Sequence, residues 1–203
     1  MEQNSLASNA SNSSGACAAA PMHRLVARNF TLLSQDELIV IWQRRNHPDV
    51  RKCMVHTEPI TLEDHLRFCA SLKDRPEQLM LFVQYDGQPA FVQTFHATDS
   101  SWQHIADTGS YAFDPAPCSC SVFAKALALR LIALRGIQSS QVKIKNDNEL
   151  AIFTNQYYFG LTIDSRDDEY TYMKATCPES AEFYQALCDQ LLAQHHTTLD
   201  LQL

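Results

Sequence analysis

No run of about 18 consecutive apolar residues occurs in the chain, so the sequence offers no bilayer-crossing helix. No two of the seven cysteines, at 17, 53, 69, 118, 120, 177 and 188, stand in C-x-x-C spacing. That excludes the usual structural zinc patterns, and no metal is expected. An odd number of thiols in 203 residues points to reduced cysteines in a cytoplasmic protein. Ala18-Ala19-Ala20 follows neither a basic segment nor an apolar one, so it is not read as a signal cleavage site. Net charge −7 argues against a general nucleic-acid binder. Acidic residues vanish from Pro115 to Asn146, where Lys125, Arg130, Arg135, Lys143 and Lys145 remain.

What is present is enough apolar material, 45%, for one real core. Residues 1–21, rich in Ser, Asn and Ala, read as a flexible tail. Residues 22–194 read as a single domain, with a last helix over 178–194. Residues 195–203 read as a loosely held C-terminal tail. Along the domain, His23 to Leu33 reads as a strand. Ser34 with Glu37 forms a capping box for a helix to about Arg45, and Pro48 ends it. Thr61 caps a second helix whose apolar stripe runs Leu62, Leu66, Phe68, Cys69 and Leu72.

Three meander strands follow, 78–84, 88–95 and 104–113, the first two joined at Asp86-Gly87. A long helix from Ser121 to Arg135 ends at Gly136. A short strand at 141–145, a helix from about Asn148 to Tyr158, a strand at 170–175 and the last helix complete the order. Phe183, Leu187, Leu191 and Leu192 are the inward residues expected of that helix. A meander followed by a β-α-β unit predicts an α/β fold: a mixed, mostly antiparallel sheet with helices on both faces.

The segment Asp114-Pro115-Ala116-Pro117-Cys118-Ser119-Cys120-Ser121 leads from a strand into the long helix. A helix start offers unpaired N–H groups and partial positive charge, and the flanking block is acid-free, so the segment reads as an anion-binding device. It contains no glycine.

The order of elements, the Tyr111–Ala133 segment and Asp147-Asn148-x-x-Ala151-Ile152 resemble the GNAT acetyltransferase superfamily over roughly residues 24–175. Trp42-Gln43-Arg44-Arg45-Asn46-His47-Pro48-Asp49-Val50 and Glu63-Asp64-His65-Leu66-Arg67-Phe68 are similar to the W-R-N-x-P-x-V/I and E-x-H-L-x-F blocks of one branch. That branch acetylates a UDP-linked 4-amino-4,6-dideoxy sugar. Arg45 is taken as the motif arginine. The resemblance departs at the pyrophosphate loop, where two family glycines are Ser119 and Ser121. A serine forced to positive φ would cost on the order of 1 kcal/mol. On that reading Ser119→Gly and Ser121→Gly should tighten CoA binding.

The resemblance implies acetyl-CoA as co-substrate, transfer of its acetyl group to a small-molecule amine such as a UDP-amino sugar, no membrane or nucleic-acid partner, and a homodimer through a sheet edge. It implies cofactor contacts from Tyr111, Ala112, Phe113, Cys118, Ser119, Cys120, Ser121, Val122 and Asn148. A backbone N–H in Tyr111–Phe113 would serve the oxyanion. Asp107 falls where a base would lie, or is a solvated residue at a strand start. The usual acid position is Asn155, so Tyr157 or Tyr158 takes that role unless both pack against the core. Arg45, Asn46 and His47 are expected over the acceptor cleft, with Arg45 suited to a diphosphate. His65 faces that cleft or packs in the interior. The alternative is a catalytically silent GNAT-like binding domain with a degenerate loop, favoured by the two serines and Asn155.

Overall fold

The computed structural model describes residues 22–203, so the tail expected at 1–21 lies outside the described residues. One eight-stranded sheet organises them. Its strands are β1 His23–Asn29, β2 Gln78–Tyr85, β3 Gln88–Ala97, β4 His104–Ala112, β5 Ser139–Lys145, β6 Thr162–Arg166, β7 Tyr170–Thr176 and β8 Thr197–Gln202. The order across the sheet is β6-β7-β5-β4-β3-β2-β1-β8. Two pairings, β4 with β5 and β1 with β8, are parallel, and the others are antiparallel. The mixed, mostly antiparallel sheet expected from the element order is what forms.

The helices are α1 Gln35–Asn46, α2 Pro48–Arg51, α3 Leu62–Ser71, α4 Cys120–Arg135, α5 Glu149–Tyr157 and α6 Ala181–Gln194. Local chemistry sets their ends. Ser34 and Glu37 form the full capping box of α1. Pro48 ends α1, and it also sits at the first position of α2, where its missing N–H costs nothing. Thr61 caps α3 by accepting from the Asp64 N–H. Gly136 closes α4 at φ +65, and its N–H donates to Ile132 O.

Two apolar layers hold the sheet. On one face α4 and α6 cover Leu25, Leu81, Val83, Phe91 and Phe95. On the other, α1, α3 and the turn that follows α3 cover Met80, Phe82 and Val92 through Ile41, Cys69 and Leu72. A smaller cluster joins β5, β7 and α5 through Val142, Ile144, Met173 and Ile152.

The structure corrects three expectations. Residues 197–202 are not a loose tail but β8, in parallel register with β1 from His23↔Thr197 to Arg28↔Gln202. The stretch alternates, with Leu199 and Leu201 packed on the α4–α6 core. Strand β6 has no counterpart in the sequence reading, because all five of its residues are exposed and carry no inside–outside pattern. Helix α6 buries Tyr184, Cys188 and Leu192, while Phe183 and Leu187 face out. Its apolar positions allow two phases, and packing against α4 selects one.

Candidate active site

Strands β4 and β5 pair only at His104↔Ser139 and Ile105↔Ser140. Beyond those positions β4 follows β3, β5 follows β7, and a gap opens between them. The antiparallel ladder fixes which backbone groups face the gap. Phe113 N–H donates to Ala90 O at 2.8 Å, so Phe113 and, two residues back, Tyr111 turn toward β3. Ser110 and Ala112 turn the other way, toward the gap. Of the Tyr111–Phe113 amides read as oxyanion donors, the structure therefore leaves Ala112. The Tyr111 side chain joins the α1–α3 layer, where burial pushes its phenol up and Arg45 partly offsets this.

The segment after β4 leads into α4 beside this gap. Phe123 N–H donates to Ser119 O, and the amides of Cys120, Ser121 and Val122 have no acceptor among the described residues. The Ser119 side chain makes no cap bond, and the first turn carries no acid. Ser119 has φ −74, Ser121 is helical, and the positive-φ residues other than glycine are Asp86, Trp102 and His196. The serine-for-glycine exchange thus carries no left-handed strain, contrary to the sequence-based concern. Cys120 Sγ lies 3.6 Å from Ala90 O, beside the Cys118 thiol. The contact between the two thiols holds Cys120 below its ordinary pKa and raises Cys118, which burial raises further.

Asp107 stands on β4 just past the last pairing with β5. The residue is exposed, on the sheet face that carries α1 and α3, and desolvation of its carboxyl raises its pKa. His96 and Lys143 pull in the opposite direction. His96 is its direct cross-strand neighbour on β3.

The residues of α1 to α3 and the junctions between them separate by role. Arg44, set aside in the sequence reading, donates from Nε to Ala112 O at 2.5 Å, so its guanidinium stands at the gap. Arg45 donates to His56 O at 3.1 Å and Arg51 to Thr57 O at 3.0 Å. Arg45 Nη1 and Arg51 Nε are buried without a partner among the described residues. Burial lowers the Arg45 pKa, Tyr111 offsets this, and the like charge of Arg51 adds to the lowering. Asn46 is engaged at both ends, Nδ2 to Ile60 O at 2.7 Å and Ile60 N–H to Oδ1 at 2.9 Å, so it holds the loop. His47 is exposed and its Nδ1 accepts from the Asp49 N–H at the start of α2. His65 is an interior residue: its ring bonds Leu38 O at 3.0 Å, and burial lowers its pKa.

On α5, Asn148 is the N-cap, accepting from Ala151 N–H at 3.2 Å. Asn155 donates to Ala151 O at 2.9 Å. Helical spacing puts Asn148, Ala151, Asn155 and Tyr158 along one side. Tyr157 falls outside it, 70% exposed and stacked on Phe153 with ring centres 5.5 Å apart. The structure thus separates the two tyrosines read as candidate acids. Among the described residues no group of three or more potential metal ligands converges, and no helix is long and apolar enough to cross a membrane.

Sequence reasoning missed Arg44 and His96. The Trp42-x-Arg44 spacing was a usable signal for the first. Nothing in the sequence marks His96 as the residue opposite Asp107, because a bulge between His96 and Ala97 shifts the register there.

The strand order, the β4–β5 gap and α4 at its mouth define a class, the GNAT acyl-CoA N-acyltransferase fold. The spermidine N-acetyltransferase of Vibrio cholerae, solved with CoA and spermine, matches with TM-score 0.65 at 10% identity, over 79% of this chain and 98% of that one. The particular protein it also resembles is the Campylobacter jejuni N-acetyltransferase PseH. That enzyme's complex with acetyl coenzyme A matches with TM-score 0.61 at 20% identity, over 75% of this chain and 98% of that one. In sequence, acetyltransferase PseH of C. jejuni subsp. jejuni serotype O:23/36 (strain 81-176) is 38% identical over 61 residues. Those residues are 30% of this chain and 38% of the relative, so the sequence match spans well under two thirds of the relative's length. No family model matches the chain.

Proposed function

We propose that this protein is an acetyl-CoA-dependent N-acetyltransferase acting on an amine of a small acceptor. The observation that carries the reading is the gap between β4 and β5, with Asp107 near its paired end and the unpaired amides of α4 beyond the other end of β4. Acetyl-CoA, when bound, supplies the activated acyl carbon. The amides of Cys120, Ser121 and Val122, with the Ser119 hydroxyl, hold its pyrophosphate. Asp107 takes the proton of the attacking amine, and its raised pKa makes it a stronger base than an ordinary aspartate. The Ala112 N–H, facing the gap, meets negative charge developing on the carbonyl oxygen. Tyr158, on the Asn148 side of α5, returns a proton to the leaving sulfur.

The acceptor is a nucleotide-diphosphate-linked amino sugar. Support comes from Arg45 and Arg51, two neighbouring guanidinium groups with unpaired buried N–H groups, and from the two sequence blocks shared with the branch that acts on such sugars. The site of action is the cytoplasm, where thiols stay reduced, and the assembly is a homodimer through a sheet edge, measurable by light scattering. A second reading, a silent binding domain, is favoured by the Asn155 amide standing at the usual acid position, tied to Ala151 O.

Calorimetry with acetyl-CoA and CoA, followed by thiol release with a panel of UDP-amino sugars, tests both. Binding with turnover supports the transferase. Binding without turnover on any acceptor supports the silent domain. No binding at millimolar ligand removes the transferase reading.

A further inference from the structure

We propose that Arg44 is a catalytic residue whose guanidinium shares the thioester carbonyl oxygen of bound acetyl-CoA with the Ala112 N–H. This rests on the acetyltransferase reading above. The geometry starts from the edge of β4. Ala112 stands opposite Phe91 of β3, and the Phe113 N–H that follows donates to Ala90 O at 2.8 Å. In an antiparallel ladder, a residue between two bonded pairs turns both its N–H and its C=O away from the partner strand. The Ala112 N–H and O therefore share one edge. That edge faces the gap, because β5 parts from β4 after Ile105↔Ser140. In a closed sheet a neighbouring strand would match such a carbonyl. Arg44 Nε takes that place, donating to Ala112 O at 2.5 Å. A guanidinium carries its five N–H donors in one planar fork. With Nε fixed on the Ala112 oxygen, the rest of the fork is confined to the edge where the Ala112 N–H also points.

That rest is uncommitted. Among the described residues the Arg44 Nη groups make no hydrogen bond, no acid pairs with them, and they are not sealed inside the protein. Arg45 and Arg51, by contrast, spend donors on His56 O and Thr57 O. The Tyr111 phenol beside Arg44 is no counter-ion, since burial pushes its pKa up and keeps it neutral. The end of α1 that carries Arg44 is also held in place. Trp42 Nε1 donates to Ile60 O at 2.7 Å, Asn46 bonds Ile60 at both ends, and the His47 N–H donates to Arg44 O at 3.1 Å. A donor fixed before the reaction stabilises developing charge without reorganising.

The electrons balance. The amine nitrogen pair forms the N–C bond while the carbonyl π pair moves onto oxygen. That oxygen accepts from the Ala112 N–H and from an Arg44 Nη–H. The pair returns to carbon as the C–S bond breaks. Arg44 gives up no proton, because a guanidinium stays charged throughout.

Infrared difference spectra of bound acetyl-CoA, labelled at the carbonyl carbon, test this without acceptor or turnover. In the wild type the thioester carbonyl band should lie below its position for the ligand in water, and in Arg44→Gln it should move back up. Arg44→Lys keeps the charge but not the planar fork, so its band should move up part of the way. It is the variant to read if Arg44→Gln does not fold. A band at the wild-type position in the folded variant overturns the proposal. In thiol release with a UDP-linked 4-amino-4,6-dideoxy sugar, Arg44→Gln should lower kcat about 10²-fold, with acetyl-CoA affinity and acceptor KM within a few-fold of the wild type. Lost acetyl-CoA affinity with kcat intact marks a tie between α1 and β4 only, and overturns it. Failure of the wild type to bind acetyl-CoA rejects the transferase reading and this one with it, whereas binding with an unmoved band rejects this one alone.

Discussion

Asp107 sets two demands against each other. Desolvation raises its pKa in the fold, so its contribution to stability is complete below the unfolded pKa and is lost as pH rises through the folded one. At neutral pH the ionised carboxylate is a liability to the fold and, on the proposed function, an asset to the chemistry. Asp107→Asn should therefore raise Tm at pH 7 but not at pH 3. The same substitution should lower kcat by about 10²-fold or more with acetyl-CoA affinity intact. Thermal scans at both pH values and calorimetry check it. If Arg45 holds the proposed diphosphate, Arg45→Ala should raise the acceptor KM about tenfold, because it removes charge-assisted hydrogen bonds, while kcat changes little. The placement of Asp107 on a strand and of Arg45 in the motif segment was legible in the sequence. The pairing of His96 with Asp107 was not, since a single chain does not spell out strand register.

Helix α4 shows how much of an element can be read from its ends. Gly136 at φ +65 has open space where a Cβ would go, so the cost of Gly136→Ala is conformational, about 1 kcal/mol. Denaturant unfolding should register that loss. At the other end, Ser121 already has helical geometry, so Ser121→Gly gains no relief from strain and instead costs helix stability of about 0.5–1 kcal/mol. CoA affinity should stay within a few-fold of the wild type, where the glycine pattern alone suggested a gain. Helices α5 and α6 were harder to read. In each, apolar and aromatic residues occur on more than one side, as with Phe153 and Tyr157 against Ile152 and Tyr158. The neighbouring layer, not the helix sequence, decides which side is buried.

At the scale of the molecule, the order of strands and helices was legible because capping residues, the Asp86-Gly87 turn and alternating strands punctuate the chain. The two outermost strands were missed for different physical reasons. Strand β6 is exposed throughout and has no apolar face to betray it. Strand β8 has its alternation, but lies in a short polar segment whose partner is at the far end of the chain. A variant ending at residue 196 should lose the β1–β8 ladder, the Arg24–Asp200 ion pair and the packing of Leu199 and Leu201. Its Tm should fall by several degrees, and the bared edge of β1 should favour self-association, visible by light scattering.

That pairing of β1 with β8 also orders events during synthesis. Arg24 waits for a counter-ion 176 positions downstream. While the ribosome is still extending the chain, β1 can find β2 and the meander can close, but one flank of the sheet stays open until residue 202 has cleared the exit tunnel. The nascent protein thus carries a templating edge until β8 emerges, and closing it is a zip-up between the first and last strands among the described residues.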